Sequence, residues 1–304
     1  MKFSIFQESR EGARKANQDR IGYCYSRDAL LMVVADGLGG HAHGEVASQL
    51  AVRTLIRAFQ REAKPRLTEP ERFLPRNIND AHLAMVAYAA GRQWPETPRT
   101  TCVACLVQDG IAYWAHAGDS RLYHFRRGKL VKRTRDHSVI QAMLDAGLVT
   151  EAEAAEHPER GRISNCLGSA AMPKVELSTR VQLEPGDTLL LCSDGLWGPL
   201  SDEAIGRALA LQDIAQATPA LLDQAAERAG SQCDNQSAVA MTWEEPNKPN
   251  SQVSTQTLEP NSFATETDQP VGGPGAQQEL TDEEIEMAIA DIRNALRRHA
   301  ATKQ

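Results

Sequence analysis

No stretch of this 304-residue chain is apolar for long enough to span a bilayer. The longest uninterrupted apolar run, Ala29 to Ala35, falls far short of the roughly 20 residues that a membrane helix requires. Met1 to Gln7 meets Glu8 and Arg10 almost at once, so no apolar core of a secretory signal is expected. Cysteines are few and show no disulfide framework. Cys24, Cys102, Cys105, Cys166, Cys192 and Cys233 sit mostly in apolar contexts, which suits reduced thiols in a cytoplasmic protein. Positive charge is also short: 33 Lys and Arg against 40 Asp and Glu give a net charge of −7, and nucleic acid is not expected as a partner. What is present is ordinary globular material. Apolar residues make up 41% before the 21 glycines are added, enough for one large domain or two modest ones with a real core.

Composition changes near Trp243. From Glu244 to Glu279 five prolines and three glycines alternate with polar residues, and the few apolar ones have no period. A disordered linker over 244–279 is expected. Thr281 to Glu284 then has the form of a capping box, and Ile285, Ile289, Ile292 and Leu296 follow at helical spacing, so 280–304 reads as an amphipathic helix. Its apolar stripe needs a surface to cover, either a partner or the preceding domain. The charge divides unevenly: 28 basic and 29 acidic residues up to Trp243, 5 and 11 after it. The region 1–243 is therefore nearly neutral and forms the expected main domain.

Within that domain the strands come in adjacent groups and the helices in separate blocks, an α+β arrangement. Ile21 to Ser26 and Ala29 to Ala35 read as a strand pair, followed by a helix over Glu45 to Phe59 and another from about Asn77 to Ala90. Asp109-Gly110 and Arg127-Gly128 each separate two β-rich runs, which predicts hairpins. Further strands are expected at Asp187 to Ser193 and Gln236 to Thr242. Cys102 and Cys105 form a CxxC, but residues three apart on a strand point to opposite faces. They are expected to be small buried hydrophobes.

The informative pattern is the placing of carboxylates. Asp36 ends the run LLMVVA and is followed by Gly37, Asp194 ends TLLLCS and is followed by Gly195, Asp119 follows IAYWAHAG, and Asp234 precedes QSAVAM. Four lone aspartates thus stand at strand mouths. A partly desolvated carboxylate requires either a raised pKa or a cation. The donors are all oxygen, with no Cys or His at matching spacing, which favours hard ions such as Mg²⁺ or Mn²⁺.

The ordered strings RKANQD (Arg14 to Asp19), ADGLGGHAHGE (Ala35 to Glu45), AGDSR (Ala117 to Arg121), DHS (Asp136 to Ser138), HP (His157, Pro158), SDGLW (Ser193 to Trp197) and CDNQS (Cys233 to Ser237) resemble the successive motifs of the PP2C, or PPM, family of metal-dependent protein Ser/Thr phosphatases, bacterial branch. The resemblance covers about residues 1–243. It implies a four-layer αββα sandwich with two central antiparallel β-sheets and a centre of two Mn²⁺ or Mg²⁺ ions. By motif position Asp36 would bridge both metals, with the Gly37 carbonyl on one of them. Asp194 and Asp234 would hold the other, Asp19 would act through metal-bound water, and Asp119 would serve a third, weaker metal. Arg14 falls at the phosphate-binding arginine. The implied reaction is hydrolysis of phosphoserine and phosphothreonine by direct attack of a metal-bridging hydroxide, opposing a bacterial Ser/Thr kinase, with phosphorylated proteins as partners. A catalytically weak phosphoprotein-binding module and a phosphatase of a small metabolite are the competing readings.

The sequence departs from the family in two places. Gln18 stands where many members have Glu, and Leu38 stands where eukaryotic members have the histidine that protonates the leaving oxygen. Residues 136–168 resemble the family's flap, where Arg135, Arg160 and Arg162 are candidates for meeting an acidic phosphopeptide.

Overall fold

The computed structural model describes residues 1–39, 42–155, 157–244, 253–259 and 261–268, together with the single positions 287 and 290. The chain runs through β1 (Lys2–Arg10), β2 (Arg20–Tyr25), β3 (Ala29–Ala35), α1 (Gly44–Glu62) and α2 (Pro70–Gly91). Two hairpins follow, β4 (Cys102–Gln108) with β5 (Ile111–Ala117) and β6 (Arg121–Arg126) with β7 (Lys129–Arg133). Short helices α3 (Val139–Asp145) and α4 (Glu151–Ala155) lead to β8 (Glu176–Leu177), β9 (Val181–Gln182) and β10 (Asp187–Cys192). The chain continues through α5 (Asp194–Trp197), α6 (Asp202–Leu211), α7 (Ile214–Ala229), β11 (Gln236–Trp243), β12 (Val253–Ser254) and β13 (Ala264–Thr267).

The hairpin turns form for the reason their residues suggest. Asp109 and Gly110 take φ of 56° and 72°, and Arg127 and Gly128 take 51° and 74°, so both central residues are left-handed, as a tight two-residue hairpin turn requires. Helix α2 begins earlier than its apolar period suggests. Pro70 enters at the first turn, where its missing N–H costs nothing, and Pro75 is carried inside the helix. Strand β1, which the sequence reading passed over, lies between β11 and β12. Its Phe3 and Ile5 are buried between the sheets although its other end is polar.

Two antiparallel sheets result, in the orders β12-β1-β11-β10-β6-β7 and β13-β2-β3-β4-β5-β8, with β9 also on β5. The alternation of side chains along the central strands sorts the core into three layers. On β3, Leu31, Val33 and Ala35 pack with α1 and α2, while Leu30, Met32 and Val34 face the other sheet. On β10, Leu189 and Leu191 join that middle layer, while Leu190 and Cys192 pack with α5, α6 and α7. This is why these strands read as unbroken apolar runs: both faces are covered. The expected αββα layering is what the packing shows. Cys102 lies in the helix-facing layer and Cys105 in the middle layer, so the CxxC pair does point to opposite faces of β4.

The expected linker 244–279 needs a correction over its described part. Ala264–Thr267 pairs with β2 along its whole length, and Val253–Ser254 pairs with β1. Phe263 packs edge-on to Phe59 at 6.1 Å between ring centres. Two sheet edges left bare by the domain are covered in this way, and the β-branched threonines of the segment suit an edge strand. The expected C-terminal helix lies outside the described residues apart from the two single positions.

Phe59 is fully buried where α1, α2 and the returning segment meet, and it also meets Phe73 edge-on at 6.2 Å. Phe59→Ala is expected to lower unfolding stability by about 3–5 kcal/mol in urea titration. A loss below about 1 kcal/mol would show that this junction is not part of the cooperative core.

Candidate metal centre

Antiparallel pairing brings the five aspartates together. Arg20 pairs with Ala35, which sets Asp19 beside Asp36, and Cys102 pairs with Ala117, which places Asp119 at the same end of that sheet. In the other sheet Cys192 pairs with Ala238 and Arg10 with Gln236, so Asp194 and Asp234 leave at the matching end. Asp36, Asp119, Asp194 and Asp234 line one cavity of about 950 Å³, together with Arg14, Lys15, Gln18, Gly37 and Arg99. Asp19 lies fully buried, and Ser193 Oγ donates to its Oδ2 at 2.7 Å.

The surroundings hold these groups rigidly. The Asp36 carbonyl accepts from Thr101 N and from Thr100 Oγ1, both at 2.8 Å, and Asp36 N donates to Thr101 Oγ1 at 3.1 Å. Gly37 is packed so closely on Gly44 that a Cβ would stand 2.5 Å from its carbonyl. The loop between β1 and β2 is fastened to the start of β11. Asn235 Nδ2 donates to the carbonyls of Glu11 and Ala16, at 2.7 and 3.0 Å, while Gln18 N donates to Asn235 Oδ1 at 2.9 Å. Gly12 makes this possible. It has φ of 65°, and a Cβ there would lie 2.1 Å from the Asp234 carbonyl. The fastening delivers Arg14 to Asp234, whose Oδ2 accepts from Arg14 at 2.5 Å.

The sequence reading assigned no part to Asn235, Thr100 or Thr101. Only the DN step within CDNQS signals such a clamp. Gln18 donates from its amide to Glu45 Oε2 at 3.3 Å, a contact that a carboxylate at position 18 would turn into repulsion.

The electrostatics are one-sided. Burial pushes the Asp36 and Asp194 carboxyls well above the usual carboxylate range, and the other aspartates push them further. Asp19 is raised to about 6 and Asp119 to about 7, again chiefly by burial. Asp19 Oδ1 and Asp119 Oδ1 are buried with no hydrogen-bond partner. Arg14 is the one guanidinium bonded to this group among the described residues. Orphaned carboxylate oxygens, mutual repulsion and an all-oxygen donor set together fit hard divalent cations.

A second constellation does not. His116, His137 and Glu176 bring one ligand atom each to within 4.8 Å of one another. His137 Nδ1, however, accepts from Gly118 N at 3.2 Å and faces Asn165 Nδ2 at 2.8 Å, which leaves its proton on Nε2 towards Glu176. His116 Nε2 is 2.7 Å from the Arg135 carbonyl, to which it donates. These rings stack at 4.5 Å and brace the turn that carries Asp119.

Of the flap arginines, Arg162 alone reaches the cavity; Arg135 pairs with Asp145, and Arg160 donates to the Gly198 carbonyl. Leu38 lines the cavity, and the described wall does not include His43, which is stacked on Trp94 at 3.9 Å.

The sequence pattern of the family described as protein phosphatase 2C matches residues 7–232. The serine/threonine protein phosphatase PstP of Mycobacterium tuberculosis is 35% identical over 223 residues, 73% of this chain and 42% of that protein. The chain thus spans less than half the length of that relative. The serine/threonine phosphatase stp of Listeria innocua is 35% identical over 195 residues, 63% of this chain and 76% of its own. The crystal structure of Mycobacterium tuberculosis PstP/Ppp aligns with a TM-score of 0.70 at 33% identity, over 81% of this chain and all of that one. A structure of the PstP catalytic domain in complex with two manganese ions aligns at 0.68 and 31% identity, over 80% of this chain and 99% of that one.

The raised carboxyls give a signed pH dependence. Their folded pKa values exceed the ordinary 3.8, so the folded protein holds more protons than the unfolded chain between that value and about 7. Stability of the metal-free protein therefore falls as pH rises through this window. Metal must displace those protons, so the gain in melting temperature from Mn²⁺ over EDTA is expected to grow from pH 5.5 to 7.5. A gain that is flat or shrinking across this range would remove the carboxylates from metal binding.

Proposed function

This chain belongs to the protein phosphatase 2C family, and on that premise we propose that it hydrolyses phosphoserine and phosphothreonine in proteins with Mn²⁺ or Mg²⁺. The observation that carries the reading is the convergence of Asp19, Asp36, Asp119, Asp194 and Asp234, two of them with unpaired buried oxygens, at one end of the sandwich. Asp36, Asp194 and Asp234 would hold the metals with the Gly37 backbone, Asp19 would act from behind, and Asp119 would serve a further, weaker ion. Bound dications supply an activated water near neutral pH and neutralise phosphoryl charge.

The chain's own residues do the rest. Arg14 uses a single N–H on Asp234 and is more than half exposed, so its fork is free to hold phosphate oxygens. The described cavity wall has no Ser, Thr, Tyr or His. Its one thiol, Cys166, is pushed up by burial and stays protonated, a poor nucleophile. The remaining nucleophiles of the wall, its aspartates, would be committed to metal in this reading, which favours direct displacement by water without a phosphoenzyme. A Ser/Thr protein kinase is the class of enzyme that supplies such a substrate. The six buried, unpaired cysteines support a cytoplasmic site of action.

Phosphate release from a phosphothreonine peptide is expected to require Mn²⁺ and to stop on chelation. Asp36→Asn and Asp194→Asn are each expected to lower kcat/KM by more than about a hundredfold, beyond what residues that merely orient ligands contribute. Substantial turnover in either variant would sink the assignment.

A further inference from the structure

Besides Arg14, three cationic side chains line the cavity: Lys15, Arg99 and Arg162. Arg162 is answered by Glu159 at 2.8 Å. Arg99 differs from it. Its Nε is buried with no hydrogen-bond partner, and among the described residues no carboxylate pairs with its guanidinium. A buried N–H without an acceptor is rare enough in a folded protein to need a reason.

The backbone around Arg99 is fixed. Its carbonyl accepts from Leu38 N at 3.0 Å, and the next residue, Thr100, donates through Oγ1 to the Asp36 carbonyl and exchanges backbone hydrogen bonds with Leu167. Arg99 is therefore held at the seam between the 36–39 loop and the segment 157–168, beside Cys166, whose thiol feels its charge. Arg14, by contrast, gives one N–H to Asp234 and keeps the rest of its fork for the scissile phosphate. The cavity, at about 950 Å³, is far larger than a phosphoryl group and lies at the upper end of the range for ligand pockets.

We infer that Arg99 is a specificity-determining residue that takes an oxyanion flanking the scissile phosphate, either an acidic side chain or a second phosphoryl group on the same phosphopeptide. The inference rests on the phosphatase reading above. A planar guanidinium with unspent donors on a cavity wall matches both forms of oxyanion bidentately. It also accounts for a guanidinium with no ion-paired carboxylate in a site that already has its phosphate arginine.

The test compares three phosphothreonine peptides that differ at one neighbouring residue: Ala, Glu, or a non-hydrolysable phosphonate analogue of phosphoserine. Full-length protein with Mn²⁺ is expected to show kcat/KM about tenfold higher with either anionic neighbour than with Ala, the size of one charge-assisted hydrogen bond. Arg99→Gln is expected to abolish that ratio through KM, and Arg99→Lys, which keeps charge without the fork, to retain part of it. A preference confined to one anionic peptide identifies which oxyanion is read. A merely structural role would slow all three peptides alike. Equal wild-type rates on the three, or a ratio that survives Arg99→Gln, overturns the inference alone. Should Arg99→Gln fail to fold, the wild-type ratio and the lysine variant still decide. Absence of metal-dependent hydrolysis of every peptide overturns the phosphatase reading, and this inference with it.

Discussion

Mutual repulsion among buried carboxylates is the constraint on which the rest of this molecule depends. Burial raises the cost of ionising Asp19, Asp36, Asp119 and Asp194, and neighbouring aspartates add to that cost. Such a cluster persists only where a scaffold over-determines it. Here the scaffold is two sheets whose central strands are packed on both faces, so displacing a strand would disturb two close-packed layers at once. The three core layers are thus the counterweight to an end of the sandwich that would otherwise repel itself apart.

That counterweight explains what was legible in the sequence. Asp36 after LLMVVA and Asp194 after TLLLCS stand out together with Asp119 and Asp234, because one Asp at a strand mouth is ordinary turn chemistry but four of them are more than turns require. The hairpins at Asp109-Gly110 and Arg127-Gly128 were equally plain, since left-handed backbone is demanded at both turn positions. The CxxC pair was resolved by the two-residue period of a strand.

Other parts were hidden for physical reasons. Strand β1 carries Glu8 and Arg10, so its apolar half was too short to announce a strand whose pairing partners lie more than 200 residues away. The start of α2 was masked by Pro70 and Pro75, residues that usually end helices rather than open them. The edge strands at 253–254 and 264–267 are polar and proline-flanked, and only the unpaired edges of β1 and β2 give them a reason to form. Asn235 and Arg99 were invisible as functional residues because what each does depends on contacts across the fold, not on its neighbours in the chain.

The fastening of the β1–β2 loop to the start of β11 has a consequence for how the protein comes into being. Glu11, Ala16 and Arg14 are joined to Asp234 and Asn235 across some 220 positions. A ribosome has delivered nearly the whole domain before the ligand set exists. A chain cut short just before Asp234 carries four of the five aspartates but lacks the groups that fasten the β1–β2 loop.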